Sequence, residues 1–237
     1  MRIAVIPALD EQQCIKEVVD GIAPHVDRVV VVDNGSADQT AEVARAAGAD
    51  VVLEPSRGYG RACLAGIARA TVLGATIVVF LDGDGSDDPA DAIRLIEPVA
   101  SGAFDLALGV RAGARIEPGA MTPVQSFGNW LAPLLMRLML GARYRDMPPF
   151  KVITLEALQR LDVRDLGHGF TIELLIKAHS RALRVVEVPV RCRARRAGVS
   201  KVSGTLRGAS RAAVKIVSII GRHASRAHLE RLKDRAR

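Results

Sequence analysis

Short apolar runs alternate with amphipathic stretches through the first half of the chain. Residues 2–6, 29–32, 51–53, 77–81 and 105–110 are short, mostly apolar runs bounded by turn residues and read as strands, the continuous run at 77–81 as one buried on both faces. Between them the apolar period lengthens. Ile15, Val18, Val19 and Ile22 recur at helical spacing, with Asp10 placed to cap them. Asp38 or Thr40 starts a second helix through Ala47, closed by Gly48, and small residues form a third through Ala70. Pro89 stands at the favoured first position of a fourth. Strands alternating with helices at this spacing predict βαβ units. The fold class is α/β, a mostly parallel central sheet with helices on both faces.

The rhythm changes after Val110. Residues 111–123 hold Gly, Pro and charge, and read as a loop. Residues 125–141 form a helix (Phe127, Trp130, Leu131, Leu134, Leu135, Leu138, Met139) with little polar surface beyond Arg137. A strand at 150–153, a helix at 170–180 and a strand at 185–190 follow, and Pro189 argues that the last is an edge strand. Residues 205–220 read as a basic amphipathic helix with a polar helical end. The expected organisation is one domain over residues 1–204 and a basic helical extension over 205–237.

Charge sharpens this picture. The net charge of +7 is unevenly spread: from Arg181 onward sixteen Lys and Arg face three acids, so that end carries about +13 and the remainder about −6. Such a basic end suggests nucleic acid or an anionic membrane. An aromatic content of 3% and an acidic body count against nucleic acid. With the apolar helix at 125–141, the basic end instead suggests peripheral contact with an anionic membrane surface; a core helix plus a solvated helix is the alternative. The three cysteines have neither zinc nor disulfide spacing, no apolar run is long enough to span a bilayer, and the N-terminus shows no signal-peptide pattern. A cytoplasmic protein, possibly one working at the inner membrane face, is expected.

The candidate chemistry gathers at Asp82-Gly83-Asp84. Two carboxylates just past a buried strand repel unless a cation or proton shares the site, and open α/β sheets bind ligands at that rim. A divalent ion carrying phosphate oxygens fits, as does a plain polar turn. Pro7 and Glu11 after the first strand and Asp33 after the second should converge on the same rim, where a carboxylate can accept from a base or a ribose hydroxyl.

Taken together, Ile6-Pro7-Ala8-Leu9-Asp10-Glu11, Val32-Asp33-Asn34-Gly35-Ser36, Gly58-Tyr59-Gly60-Arg61 and Asp82-Gly83-Asp84 resemble glycosyltransferase family 2 in order and spacing. Asp146-Met147-Pro148-Pro149-Phe150-Lys151, Gly169-Phe170-Thr171-Ile172-Glu173, Arg193-Ala194-Arg195 and Gly198-Val199-Ser200-Lys201 are similar to its dolichyl-phosphate-mannose/glucose synthase branch. The resemblance implies a GT-A fold, with residues 1–110 as the nucleotide-sugar half and 111–204 as the acceptor side. It implies a Mg²⁺ or Mn²⁺ ion, a UDP- or GDP-hexose donor with UDP-glucose first, inversion at the sugar, and a polyprenyl phosphate acceptor. By position, Asp84 would be the main metal ligand and Asp82 would face the ribose or the metal. Glu11 and Asp33 would hold the nucleoside near Gly58 and Arg61. Arg111 would meet the sugar or diphosphate, and Arg195, Ser200 and Lys201 would bind phosphate. Leu9, Asp10 and Ser86 depart from the branch's usual residues, which bears on the donor and on any third metal ligand.

A lipid phosphate is already anionic and attacks unaided, whereas a hydroxyl acceptor needs a base. Glu173 and Asp146 are the candidate bases, with His168 behind them. One rival comes from another class: Asp82-Gly83-Asp84 also resembles the first motif of haloacid-dehalogenase phosphohydrolases, although three βα units precede it here.

Overall fold

Side-chain alternation explains why the apolar runs become strands. In β1 (Arg2–Ala8), Ile3 and Val5 enter one core cluster while Ala4 and Ile6 enter another across the sheet, all four fully buried. The computed structural model describes residues 1–195 and 217–222. Ser200, Lys201 and the expected boundary at 204/205 lie outside them.

The remaining strands are β2 (Arg28–Asp33), β3 (Asp50–Leu53), β4 (Ile77–Phe80), β5 (Leu106–Ile116), β6 (Lys151–Thr154) and β7 (Val185–Cys192). They form a seven-stranded sheet in the order β3-β2-β1-β4-β6-β5-β7. Pairing is parallel except at β6, which runs antiparallel to both β4 and β5. One face is covered by α1 (Ile15–Ile22), α2 (Thr40–Ala46) and α4 (Ala92–Ala100). The other is covered by α3 (Tyr59–Val72), α5 (Pro123–Leu140), α6 (Leu155–Leu161) and α7 (Phe170–Ser180). Ile219 and Ile220, in a helical stretch at 217–222, are buried in this second cluster.

Four expectations need correction. Asp10 does not cap α1: its φ is +52°, and its Oδ1 accepts from Ala37 N at 2.8 Å, tying the first rim loop to the second. Pro89 opens a single 3₁₀ turn capped by Asp88 before α4 begins at Ala92. The loop read at 111–123 is half strand. β5 continues to Ile116, paired with β7 as far as Arg111 and again at Ile116 across a shift of register, a run whose sequence has no apolar alternation to read. α5 starts two residues earlier than expected, with Thr122 and Gln125 closing a reciprocal capping box, and ends at Gly141 with φ +76°. α6, capped by the Thr154 hydroxyl, had no sequence assignment at all.

Pro189 does lie in an edge strand, as expected. The Gly-rich turn serves chain against chain as much as chain against ligand. Gly60 N donates to Gly167 O and Arg61 N to Leu166 O, both at 3.1 Å. A Cβ on Gly60 would lie 2.0 Å from the main-chain oxygen of Asp165, which no rotamer relieves. Gly60→Ala is therefore expected to cost about 3 kcal/mol, lowering the thermal midpoint by roughly 6–12 °C in a chain of this size, as calorimetry would measure.

Candidate active site

β1, β2 and β4 all end at one rim, and β6 begins there because it runs the other way. A cleft of about 1310 Å³ opens along this rim. Its floor holds Pro7, Glu11, Asn34, Gly58, Asp82 and Asp84; Arg111, Met147, His168 and Arg195 flank it. Met121, Val124, Phe127 and Leu131 from the start of α5 line it as well.

The acidic floor is electrostatically crowded. Burial, and then the charge of Asp84, raise the pKa of Asp82; burial, and then Asp82 and Asp84, raise that of Asp87. Asp87 Oδ2 accepts from Asp82 N at 3.2 Å, and Asp84 Oδ1 from Ser86 N at 2.9 Å, so the loop's own amides orient both acids. Asp82 Oδ1 is buried with no hydrogen-bond partner among the described residues. Among those residues no cluster of three or more His, Cys, Asp or Glu could hold a metal ion. Two carboxylates with one oxygen left over suit a hard cation that takes its other ligands from water and substrate phosphate.

The basic end of β7 is zipped onto this loop. Arg191 pairs with Asp88 at 3.6 Å and its amide donates to Asp91 at 2.7 Å. Arg193 pairs with Asp88 at 2.8 Å and Glu17 at 3.7 Å. Arg195 reaches into the cleft, with Nη2 2.5 Å from Asp84 Oδ2 and Nη1 3.3 Å from Glu11 Oε1. Part of the charge asymmetry along the sequence thus closes within the fold.

The structure brings Pro7, Glu11, Gly58, Asp82, Asp84, Arg111 and Arg195 to one cleft. Four expected site residues are not among its lining. Asp33 is buried at the end of β2 and accepts from Ser36 N at 3.1 Å. The neighbouring Asn34 lines the cleft instead, and its amide ties Glu54 O, Ser56 O and Gly58 N together. Arg61 continues into α3 behind Gly58. Asp146 is bound by Arg111 through Nε and Nη2, both at 2.8 Å. Glu173 accepts from the amides of Arg164 and Asp165 and pairs with Lys177 at 2.6 Å. Both candidate bases are therefore held by cationic and main-chain partners, outside the cleft lining.

Sequence reasoning also passed over Lys151. It is fully buried, donates to Pro149 O at 2.9 Å and lies 5.4 Å from the Phe80 ring centre. Burial lowers its pKa. Position alone betrays it: a lysine following Phe150 at the start of a buried strand is carried into the interior with that strand.

Comparisons with known proteins agree with this geometry. Residues 3–161, well over half the chain, match the family described as Glycosyl transferase family 2. An uncharacterized glycosyltransferase of Mycobacterium tuberculosis is 40% identical over 211 residues, covering 86% of this chain and 90% of the relative. The polyprenol monophosphomannose synthase of Mycolicibacterium smegmatis is 32% identical, covering 86% and 81%. Among solved structures, glucosyl-3-phosphoglycerate synthase of Mycobacterium tuberculosis with Mn²⁺, UDP-glucose and phosphoglyceric acid superposes with a TM-score of 0.73 at 27% identity, covering 93% of this chain and 80% of that one. Family membership replaces the phosphohydrolase alternative. An acidic sheet rim on a GT-A fold, matched along most of its length by transferases, makes this chain a member of glycosyltransferase family 2 and a hexosyltransferase.

Proposed function

We propose that the chain moves a hexose, with inversion, from a nucleotide sugar to a polyprenyl phosphate, using Mg²⁺ or Mn²⁺ at Asp82 and Asp84. The observation that carries this reading is one cleft joining an acidic floor to an apolar mouth. At the mouth Phe127 is 56% exposed, and Trp130, 60% exposed, stands beside it with the ring centres 5.8 Å apart. An exposed aromatic pair beside a phosphate site suits a lipid-linked anion. Among the described residues no helix is long and apolar enough to cross a membrane, so the lipid would be met from one face, which we place on the cytoplasmic side.

In this reading Glu11, Pro7 and Gly58 border the nucleoside; Arg195 meets the diphosphate with its forked donors, and Arg111, whose Nε and Nη2 are held by Asp146, adds positive charge beside it. Ser200 and Lys201 would add phosphate contacts from outside the described residues. The divalent ion supplies charge stabilisation to the departing diphosphate. The acceptor phosphate is already anionic, so no base is required of Asp146 or Glu173, whose carboxylates are committed elsewhere. The polyprenol monophosphomannose synthase and the undecaprenyl-phosphate mannosyltransferase of Micrococcus luteus, 30% identical here, are both named for mannose. Their names move GDP-mannose ahead of UDP-glucose as the donor.

A soluble hydroxyl acceptor is the second reading, favoured by the likeness to glucosyl-3-phosphoglycerate synthase. It would use His168, which lines the cleft, as the base. Radiolabelled GDP-mannose and UDP-glucose, offered with Mn²⁺ to undecaprenyl phosphate in vesicles or to 3-phosphoglycerate, separate the two. Metal-dependent label in the lipid fraction is expected; label only in the soluble product sinks the lipid reading. Phe127→Ser with Trp130→Ser should weaken vesicle partitioning by about tenfold or more in a flotation assay, because two aromatic side chains are withdrawn from the interface.

A further inference from the structure

Arg195 stands in the place that the proposed metal ion needs. Its guanidinium is 2.5 Å from Asp84 and 3.3 Å from Glu11, bridging two acids on different rim loops. A divalent ion ligated by Asp84 would meet a fixed positive charge at contact distance. The two cannot share that oxygen without strong repulsion.

We propose that Arg195 is a removable counter-ion: it satisfies Glu11 and Asp84 in the empty enzyme and exchanges Asp84 for the donor's diphosphate when the metal ion arrives. The proposal rests on the metal-site reading of Asp82 and Asp84, and adds a binding order to it. Without a nucleotide, Arg195 competes with the ion and holds its affinity down. With a diphosphate present, the guanidinium gains a bidentate partner, Asp84 is released, and ion and nucleotide each tighten the other reciprocally. The exchange is local. Arg191 and Arg193 remain anchored on Asp88, Asp91 and Glu17, so the end of β7 stays docked while the Arg195 side chain turns.

Mn²⁺ binding, read from the free-ion paramagnetic resonance signal, tests this without turnover. Wild type, Arg195→Gln, Arg195→Lys and Lys16→Gln are each titrated alone and with UDP or GDP, after circular dichroism has checked their folds. Wild type should bind Mn²⁺ weakly alone and at least about tenfold tighter with one nucleotide. Arg195→Gln should bind Mn²⁺ alone about tenfold tighter than wild type, and the nucleotide should add little. Arg195→Lys keeps the charge but loses the fork, so it should resemble wild type alone and show weaker coupling. Lys16→Gln, on an exposed side chain outside the cleft lining, should match wild type in both titrations.

Arg195→Gln binding Mn²⁺ no tighter than wild type, or keeping full nucleotide coupling, overturns the exchange while leaving the metal site standing. Should Arg195→Gln fail to fold, undiminished coupling in Arg195→Lys overturns it equally. No Mn²⁺ binding by wild type with either nucleotide overturns both the exchange and the metal-site reading.

Discussion

Asp84→Ala is expected to lower kcat/KM for nucleotide-sugar turnover by at least about a thousandfold while leaving the unfolding midpoint nearly unchanged. The activity loss follows from removing one of the two carboxylates proposed to hold the cation, leaving Asp82, with its buried and unsatisfied Oδ1, to anchor it alone. The stability effect is small because Asp84 sits on a loop. Its structural hydrogen bond is to Ser86 N, worth about 1 kcal/mol, and Arg195 retains Glu11. Metal-dependent binding of the donor, measured by thermal shift with and without Mn²⁺, should vanish in parallel. A variant that keeps Mn²⁺-dependent donor binding within tenfold of wild type would place the ion elsewhere.

Asp146→Ala should do the opposite and act first on stability, by about 3–5 kcal/mol. The Asp146 and Arg111 side chains are 5% and 14% exposed and joined by two parallel hydrogen bonds. Asp146 also accepts from the amides of Arg111 and Met147, at 3.0 and 2.7 Å. Removing the carboxylate leaves a buried guanidinium and two main-chain donors without their acceptor, which costs far more than an exposed ion pair would. Urea unfolding reads the effect directly. The isosteric Asp146→Asn separates this role from that of a base. Wild-type stability with abolished turnover would restore Asp146 as a proton acceptor; a lowered midpoint with residual turnover fits a brace.

Much of the first half was legible in the chain because its strands are buried on both faces, and continuous apolar runs such as Ile77 to Phe80 survive any detail of packing. The rim acids were legible for the same reason: a polar pair abutting such a run has to emerge at the sheet edge. What sequence hid were relations between distant segments. Nothing local in residues 112–116 marks them as strand, and the run rejoins β7 at Ile116, opposite Cys192. Nothing in Glu173 or Asp146 separates a braced carboxylate from a poised one, because the difference lies in Lys177 and in the amides of Arg164 and Asp165 for one, and in Arg111 for the other. The ladder from Arg191 to Arg195 was likewise invisible: its acids are Glu11, Glu17, Asp84, Asp88 and Asp91, a hundred or more residues away.

Reversal of a single strand has one more outcome. Because β6 enters the sheet where β5 leaves its pairing with it, at Leu108 opposite Lys151, everything between them departs from and returns to a single edge. Variation confined to residues 117–145 of that detour leaves the pairing of β5 with β6 and β7, and the Arg111–Asp146 brace, outside its reach. In this chain those residues are a natural cassette for change, in evolution or in the laboratory.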